Sequence, residues 1–454
     1  MGETQYSPKA PGRRFQPYPE YKDSGVDWLS KVPAHWDTYS LRRRLFRETG
    51  SIKIGPFGSQ LKLEYMTHEG FKVYGQEHVI AGDFGRGNKY IDTDKFEELA
   101  ACEIRPNDLV VTMMGSSGRC AVVPEGIERG IMDSHLLRIR LSECSLDPKY
   151  LCLLINDSSY VREQIETEGK GAIMHGLNSS IIKSILLAVP PPKEQQRILA
   201  FLDRETAKID SLIAKKERLI ELLQEKRTAL ITQAVTKGLD PNVPMKDSGV
   251  EWLGKVPAHW RTERNRRLFR ESDVRSRFGQ EELLTVSHLT GVTKHSEKNV
   301  TMIEAESHEG YKICTSGELV INTMWAWMGA LGMASQEGMV SPSYNVYALA
   351  CADLSPRYYD FLCRIPIHVA ELTKFSKGVW RSRLRLYPDE FYDIYTPLPP
   401  IAEQKRIIDY IDQGTHRANI LAKNIQVAIE RLKEYRTALI SAAVTGKIDV
   451  RNGF

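Results

Sequence analysis

The chain has 454 residues, room for about two to four domains at roughly 100–200 residues each. Apolar residues make up 42% and charged residues 26%, and 62 Lys and Arg against 58 Asp and Glu leave a net charge of only +4. That profile excludes a histone-like polycation and confines any nucleic-acid surface to a local basic patch.

Other classes drop out on pattern. There is no run of about 18 apolar residues for a transmembrane helix. The start of the chain lacks the apolar core of a secretory leader. The seven cysteines form no CxxC pair, which disfavours a zinc ribbon or a disulfide scaffold and suits a reducing, cytoplasmic setting.

Residues 1–21 are expected to form a loosely ordered arm. Residues 22–36 read KDSGVDWLSKVPAHW, and 246–260 read KDSGVEWLGKVPAHW. A second pair of copies follows: PPPKEQQRI at 190–198 against PPIAEQKRI at 399–407, and RTALITQAV at 227–235 against RTALISAAV at 436–444. The chain is therefore two copies of one unit of about 200 residues, and a repeat of that kind governs everything else. The ends of each copy agree, while the middles differ in length and sequence. A faint echo persists there, as in Asp108-Leu109-Val110 against Glu318-Leu319-Val320. The two middles are expected to share one fold with diverged surfaces.

In chain order, Ile52–Ile54 leads into a tight Gly55-Pro56-Phe57-Gly58-Ser59 loop. Short β-type runs cover 108–113, 120–123 and 136–141, and short helices are expected over 147–166 and 355–375. The apolar stretch 319–334 aligns with the region of Leu109 and is expected to hold strands and a turn. Residues 194–236 contain no Gly or Pro, and prolines stop the chain before that segment and before its copy. Alternate steps of four and three mark a heptad seam at Ile198, Leu202, Ile209, Leu212, Leu219, Leu223 and Leu230. The second copy gives Ile407, Ile411, Leu421, Ile425, Leu432 and Leu439, with Gly414 also on the seam. Gly238 and Gly446 stand where C-caps are expected. A helix of this size is about 60 Å long, and two such seams are best buried against each other, antiparallel. The expected fold class is α+β: two mixed α/β domains joined by two long antiparallel coiled-coil helices, with an internal pseudo-twofold repeat. The expected boundaries are an arm at 1–21, a first domain at 22–190, a first helix at 191–238, a second domain at 239–398, a second helix at 399–447 and a tail at 448–454.

No phosphate-cradling Gly-x4-Gly-Lys-Ser/Thr loop is present, nor the Asn/Asp-Pro-Pro-aromatic tetrad that an amino-methyltransferase needs beside its flipped base. Pro388-Asp389 with Glu403 and Lys405 superficially resembles a metal-nuclease set. The first copy has Gln196 in place of the lysine, which argues for a helix start. The eleven histidines show no metal-ligand spacing, and His35 and His259 are expected to be structural. No catalytic, cofactor or metal residue is assigned.

Phosphates are held by Lys, Arg and backbone N–H groups, and base edges by Arg, Asn, Gln, Ser and Thr. In the first variable region the loop Lys53, Gly55, Phe57, Ser59 and Gln60 is the leading candidate, followed by Gln76, His78, Arg119, His135, Lys170, His175 and Asn178. In the second, KFSKGVWRSRLR carries Lys374, Lys377, Trp380, Arg381, Arg383 and Arg385 without an acidic residue. Arg275, Arg277, Ser287, His288, Ser343, Tyr344 and Asn345 are secondary candidates. Trp325 and Trp327 are expected to pack in the core.

Two half-repeats, each a variable region followed by a long helix opening PP-x-x-EQ-x-RI, resemble the specificity subunit of type I restriction-modification systems. The resemblance rests on the two leaders, on the helix openings at 191–198 and 400–407, on Gly55–Ser59 and on the Met114–Gly118 turn. The second variable region lacks the GPFGS loop and has Arg275-Ser276-Arg277-Phe278-Gly279 nearby. The resemblance implies a non-catalytic, cytoplasmic prokaryotic subunit that binds double-stranded DNA. Each variable region would read one half of a split target. The helices would set the gap and dock two methyltransferase subunits, which use S-adenosylmethionine to methylate adenine. Restriction subunits would add ATP- and Mg-dependent cleavage. A methylation-only system would use a similar chain, and a coiled-coil protein-binding adaptor is the rival from another class.

Overall fold

A computed structural model describes residues 15–25, 29–45, 50–57, 59–113, 118–142, 146–169, 179–297, 307–380 and 383–451. The chain forms two compact units, one of residues 1–215 with 428–454 and the other of residues 216–427. Each takes half of each long helix rather than ending where a helix begins.

In the first unit, Leu109–Thr112 lies inside an antiparallel sheet. The spatial order is Ile52–Ile54, Leu136–Ile139, Leu109–Thr112, Cys120–Val122. Leu109, Val110, Val111 and Thr112 are all fully buried, which suits a β-branched run covered on both faces. A second four-stranded sheet pairs Phe71–Tyr74 in parallel with Gly130–Met132 and carries a separate small core around Tyr74, Phe96 and Ile131. Asp147 caps the helix Pro148–Asp157, accepting from the Lys149 amide at 2.8 Å, with Pro148 at the first helical position where its missing N–H costs nothing.

The second unit repeats the first sheet: Phe269–Ser272, Tyr344–Leu349, Leu319–Asn322, Leu331–Met333, again antiparallel throughout. The shared order and register bear out one fold for the two middles. The stretch 319–334 forms two strands around a turn, as its alignment predicted. Among the described residues, no helix is long and apolar enough to cross a membrane.

The long helices run from Pro192 to Lys237 and from Ile401 to Val444. The first ends on Gly238, at φ +78, the left-handed C-cap that glycine permits. The heptad seam is buried at Ile198, Leu202 and Ile209 of the first helix and at Ile407, Ile411, Ile425 and Leu439 of the second. It is interrupted in between: Leu212, Leu219 and Leu421 are more than two-fifths exposed, while Ile213 and Ile220, one position on from the first two, turn inward. A straight helix drifts about 20° per heptad, so an inward row can pass from one residue to the next along the helix. The inward residues recur every eleven positions, at Ile198, Ile209, Ile220 and Ile231 and at Ile407, Ala418, Ile429 and Ile440. In the first unit Asp210 accepts from Arg436 Nε at 3.0 Å. In the second, a Cβ on Gly414 would stand 2.8 Å from Leu230 Cδ1, so glycine there lets the two helices approach.

The leaders clamp the helix starts. Glu194, nearly buried, accepts hydrogen bonds from the Tyr18 hydroxyl at 2.6 Å and the Trp36 indole at 2.9 Å, and pairs with His35 Nε2 at 2.8 Å. The end of the arm is thus packed, against expectation: Phe15 meets Phe201 edge-on at 5.2 Å and Tyr18 is buried. Residues after the second helix complete the same unit, since Tyr21 Oη donates to the Gly446 carbonyl at 3.0 Å and a Cβ on Gly446 would strike Pro33 Cδ at 2.3 Å. The other copy is leaner. Glu403 pairs with His259 at 2.7 Å, but the buried Trp260 Nε1 has no hydrogen-bond partner among the described residues and Asn242 stands where the first copy has Tyr18.

His368 makes the second unit acid-sensitive. It is fully buried, hydrogen-bonds the Cys363 carbonyl at 3.2 Å, and burial pulls its pKa from 6.5 down to about 4. Between those values the unfolded chain binds a proton that the folded chain refuses, so stability falls as pH drops from 6.5 towards 4. The loss of stability from pH 7 to pH 4 in urea titrations should be larger for the wild type than for His368→Gln, by up to about 3 kcal/mol.

Candidate functional site

In the first unit the edge strand ends at Gly55, whose N–H donates to the Leu136 carbonyl at 2.9 Å. A Cβ on Gly55 would lie 1.7 Å from the Asp133 carbonyl oxygen, so only glycine lets this loop cross the Asp133–His135 turn. The loop then closes on itself: Gln60 N–H donates to the Phe57 carbonyl at 2.8 Å, and the Phe57 N–H to Gln60 Oε1 at 3.1 Å. The Gln60 carbonyl is thereby occupied, and the Phe57 ring is left 77% exposed. Ser59 is exposed beside it and Lys53, on the strand, is half-buried.

The same end of the sheet collects other candidates. His135 is exposed and its N–H donates to Asp133 Oδ1 at 2.9 Å. Burial lifts the Asp133 carboxyl above its usual range, and Glu77 pushes the same way. The Met113 N–H donates to the His135 carbonyl at 2.9 Å, which sets the strand ends leading to Arg119 alongside. Arg119 is exposed and has no ion pair among the described residues. Gln76 is half-buried and follows Gly75, which abuts Asp133 Oδ2. Residues far apart in sequence thus meet around one loop cluster. His78 does not join it: buried, it faces the Gly75 amide through Nδ1 at 2.9 Å and the Arg86 carbonyl through Nε2 at 2.8 Å, and it serves the start of a short helix. Lys170, His175, Asn178 and Met114–Ser117 lie outside the described residues.

The second unit places its loops at the corresponding sheet end. Ser343 precedes the inner strand Tyr344–Leu349, which Tyr344 opens. Thr323 donates to the Ser343 carbonyl at 2.9 Å, and its own carbonyl accepts the Leu386 N–H at 3.1 Å. That bond draws in the Lys377–Arg385 hairpin, where Gly378 passes so close to the Arg383 carbonyl that a Cβ would sit 2.5 Å away. The cations are unequal. Lys374 is paired with Glu251 at 2.7 Å and Lys377 with Glu390, while Arg383 and Arg385 are exposed without an ion pair among the described residues. Arg381 lies outside the described residues, and Trp380 is exposed.

Arg275 is tied to Asp273 at 2.8 Å, whereas Arg277 is exposed. Asn345 Oδ1 accepts from the buried Lys312 at 3.4 Å. Ser287 and His288 sit on another hairpin. Its Gly291 lies against Arg364, and His288 shares a pocket with Gln224 and Arg227 of the first long helix, so they are not part of the loop cluster. Trp325 overturns its expected core role. Its ring is about half exposed, stacked at 6.2 Å on Trp327. The alternation of a strand does not apply, because the two tryptophans occupy a turn that ends on Gly329 at φ +88.

Exposed cations facing phosphate release counterions and set the salt dependence of binding. On the expectation that this hairpin meets a duplex, replacing both Arg383 and Arg385 with alanine should reduce the log–log salt slope of binding by about two, with Lys374→Ala nearly silent. Fluorescence anisotropy across a salt series reads both.

Residues 68–222 match the family model described as "Type I restriction modification DNA specificity domain". The EcoBI specificity subunit of Escherichia coli is 20% identical over 76% of this chain and 74% of its own length. The EcoKI specificity subunit of Escherichia coli strain K12 is 22% identical over 76% of each. The MjaVIII specificity subunit of Methanocaldococcus jannaschii is 20% identical over 79% of this chain and 83% of its own. In fold, the HsdS subunit from Thermoanaerobacter tengcongensis covers 92% of this chain and 98% of its own at a TM-score of 0.53 and 15% identity. A chain from a study of complex assembly and conformational transition in the type I R-M system covers 91% and 98% at 0.64, also at 15% identity. The duplicated helix openings, the repeated sheet and these similarities agree: residues 68–222 match a type I restriction modification DNA specificity domain, and over about three quarters of its length the chain is similar to the specificity subunits of type I restriction enzymes.

Proposed function

We propose that this chain is the DNA-reading subunit of a type I complex and has no chemistry of its own. Each unit's loop cluster reads one half of an asymmetric, bipartite duplex target. The observation that carries this is the repeated sheet: one four-strand order in both units, with unlike loops at the corresponding end. One frame bearing two different contact surfaces suits a target whose halves differ.

The long helices act as the spacer, running antiparallel and stiff where a flexible linker could not fix a distance. The contacts of Asp210 with Arg436 and of Leu230 with Gly414 support that pairing. Leu212, Leu219 and Leu222 on one helix and Ile420, Leu421 and Val427 on the other remain exposed. Apolar rows of this kind mark protein contacts, and they are the docking places for two methyltransferase subunits, which bring S-adenosylmethionine. Restriction subunits with ATP and Mg complete a cleaving complex.

The test is a gel shift with genomic fragments, using the purified chain with and without its methyltransferase partner, together with assays of the chain alone. Shifts that need this chain, and no methylation or cleavage by it alone, are expected. Binding to the partner without any DNA shift would instead establish a protein adaptor. Methylation or cutting by the lone chain would establish an enzyme.

A further inference from the structure

Phe57 and Phe278 occupy one topological place in the two units. Each follows the edge strand of the four-stranded sheet, Ile52–Ile54 in one and Phe269–Ser272 in the other, at the end where the central strand begins. The loops around them share no other run of sequence, yet each places a glycine directly after the phenylalanine. Each ring is three-quarters exposed, 77% and 75%.

Both turns are held rigid by bonds that do not involve the rings. Phe57 stands on the reciprocal bonds with Gln60. Phe278 stands on a turn in which buried Ser276 accepts from the Gly279 amide at 2.7 Å and donates to Glu281 at 2.5 Å. Gly279 has φ +64, and a Cβ on it would lie 2.7 Å from the His308 carbonyl carbon, so the backbone is fixed with the ring projecting. An apolar ring held out on a stiff turn pays little ordering entropy on contact. Each also shares its loop cluster with an exposed arginine that has no ion pair among the described residues, Arg119 in the first unit and Arg277 in the second. Apolar side chains inserted between base steps unstack them and kink the duplex, with Arg and Lys contacting the groove alongside.

We propose that Phe57 and Phe278 are matched specificity-determining wedges, each entering one base step of the half-target read by its own unit. The inference rests on the split-target reading above and adds the residue and the mode of contact. The experiment is selection from a pool of duplexes randomised over their central positions, using the full chain co-purified with its methyltransferase partner. Wild type, Phe57→Ala, Phe278→Ala and the conservative Phe→Leu variants are compared, with circular dichroism melting as the control for folding.

The expected result is that Phe57→Ala weakens base preference about tenfold at adjacent positions of one half, leaving the other half and the gap intact. Phe278→Ala does the same in the opposite half, and the leucine variants retain part of the preference. A wild-type split motif selected unchanged by either alanine variant overturns the inference. So do both variants relaxing the same half, or reduced methyltransferase co-purification with the motif unchanged. If the wild type selects no split motif at all, the functional reading falls first and takes this inference with it.

Discussion

Replacing Glu194 with alanine is expected to destabilise the first unit by about 3 kcal/mol, while Glu403→Ala costs less than about 1 kcal/mol in the second. The two residues hold the same place in the repeat, and their surroundings decide the difference. Glu194 is almost sealed from water and satisfies the Tyr18 hydroxyl and the Trp36 indole as well as His35. Its removal strands two buried donors and leaves a void between leader and helix. Glu403 is bound to His259, whose side chain is nearly half exposed and can turn to water, and the Trp260 N–H already lacks a partner among the described residues. Tyr18→Phe should account for about 1 kcal/mol of the first loss. Hydrogen exchange read by peptide mass separates the two units. Equal loss of protection in both variants would show that the hub around Glu194 is not worth more than its reduced copy.

The second large effect concerns the helices. Inserting four helix-forming residues into each of them, after Lys215 and after Val427, is expected to lengthen the unread gap of the target by one or two base pairs while both half-sequences persist. Four residues add about 6 Å, against about 3.4 Å per base pair of duplex. They also turn the helix by little more than one full turn, so the inward faces stay nearly in register. The original gap should then no longer be methylated. Insertion into one helix alone should unfold the pair or abolish modification. Retention of the original gap after insertion in both would show that the helices do not set it.

The parts of the fold legible in the sequence are those written twice. The leaders, the helix openings and the capping glycines recur with almost the same letters, and the buried run Leu109–Thr112 carries its own β signal. The phase of the helix faces was also written there, in isoleucines at 198, 209, 220 and 231, but a heptad template that meets the first two steps past the others. Leu212 and Leu219 are therefore equivalent in sequence to Ile213 and Ile220 until the drift of a straight helix is counted.

The candidate surface was less legible, because exposure and pairing are tertiary facts. Lys374 and Arg275 look free in sequence, yet Glu251 and Asp273 neutralise them. His78 has the chemistry of a base reader, but it is consumed at a helix start. Trp325 would alternate with a neighbour on a strand, whereas a turn carries it outward. Tyr18 belongs to a stretch whose composition promises little order, and only the position of Glu194 across the fold gives it a partner.

The most direct test of the central claim is methylome sequencing of host DNA with and without this gene. One asymmetric motif, two short unlike halves around a gap of fixed length, should lose its adenine methylation when the gene is deleted and regain it on complementation. Loss of a continuous or palindromic motif, or an unchanged methylome in a host whose methyltransferase is active, would contradict a chain that holds two different readers at a set distance.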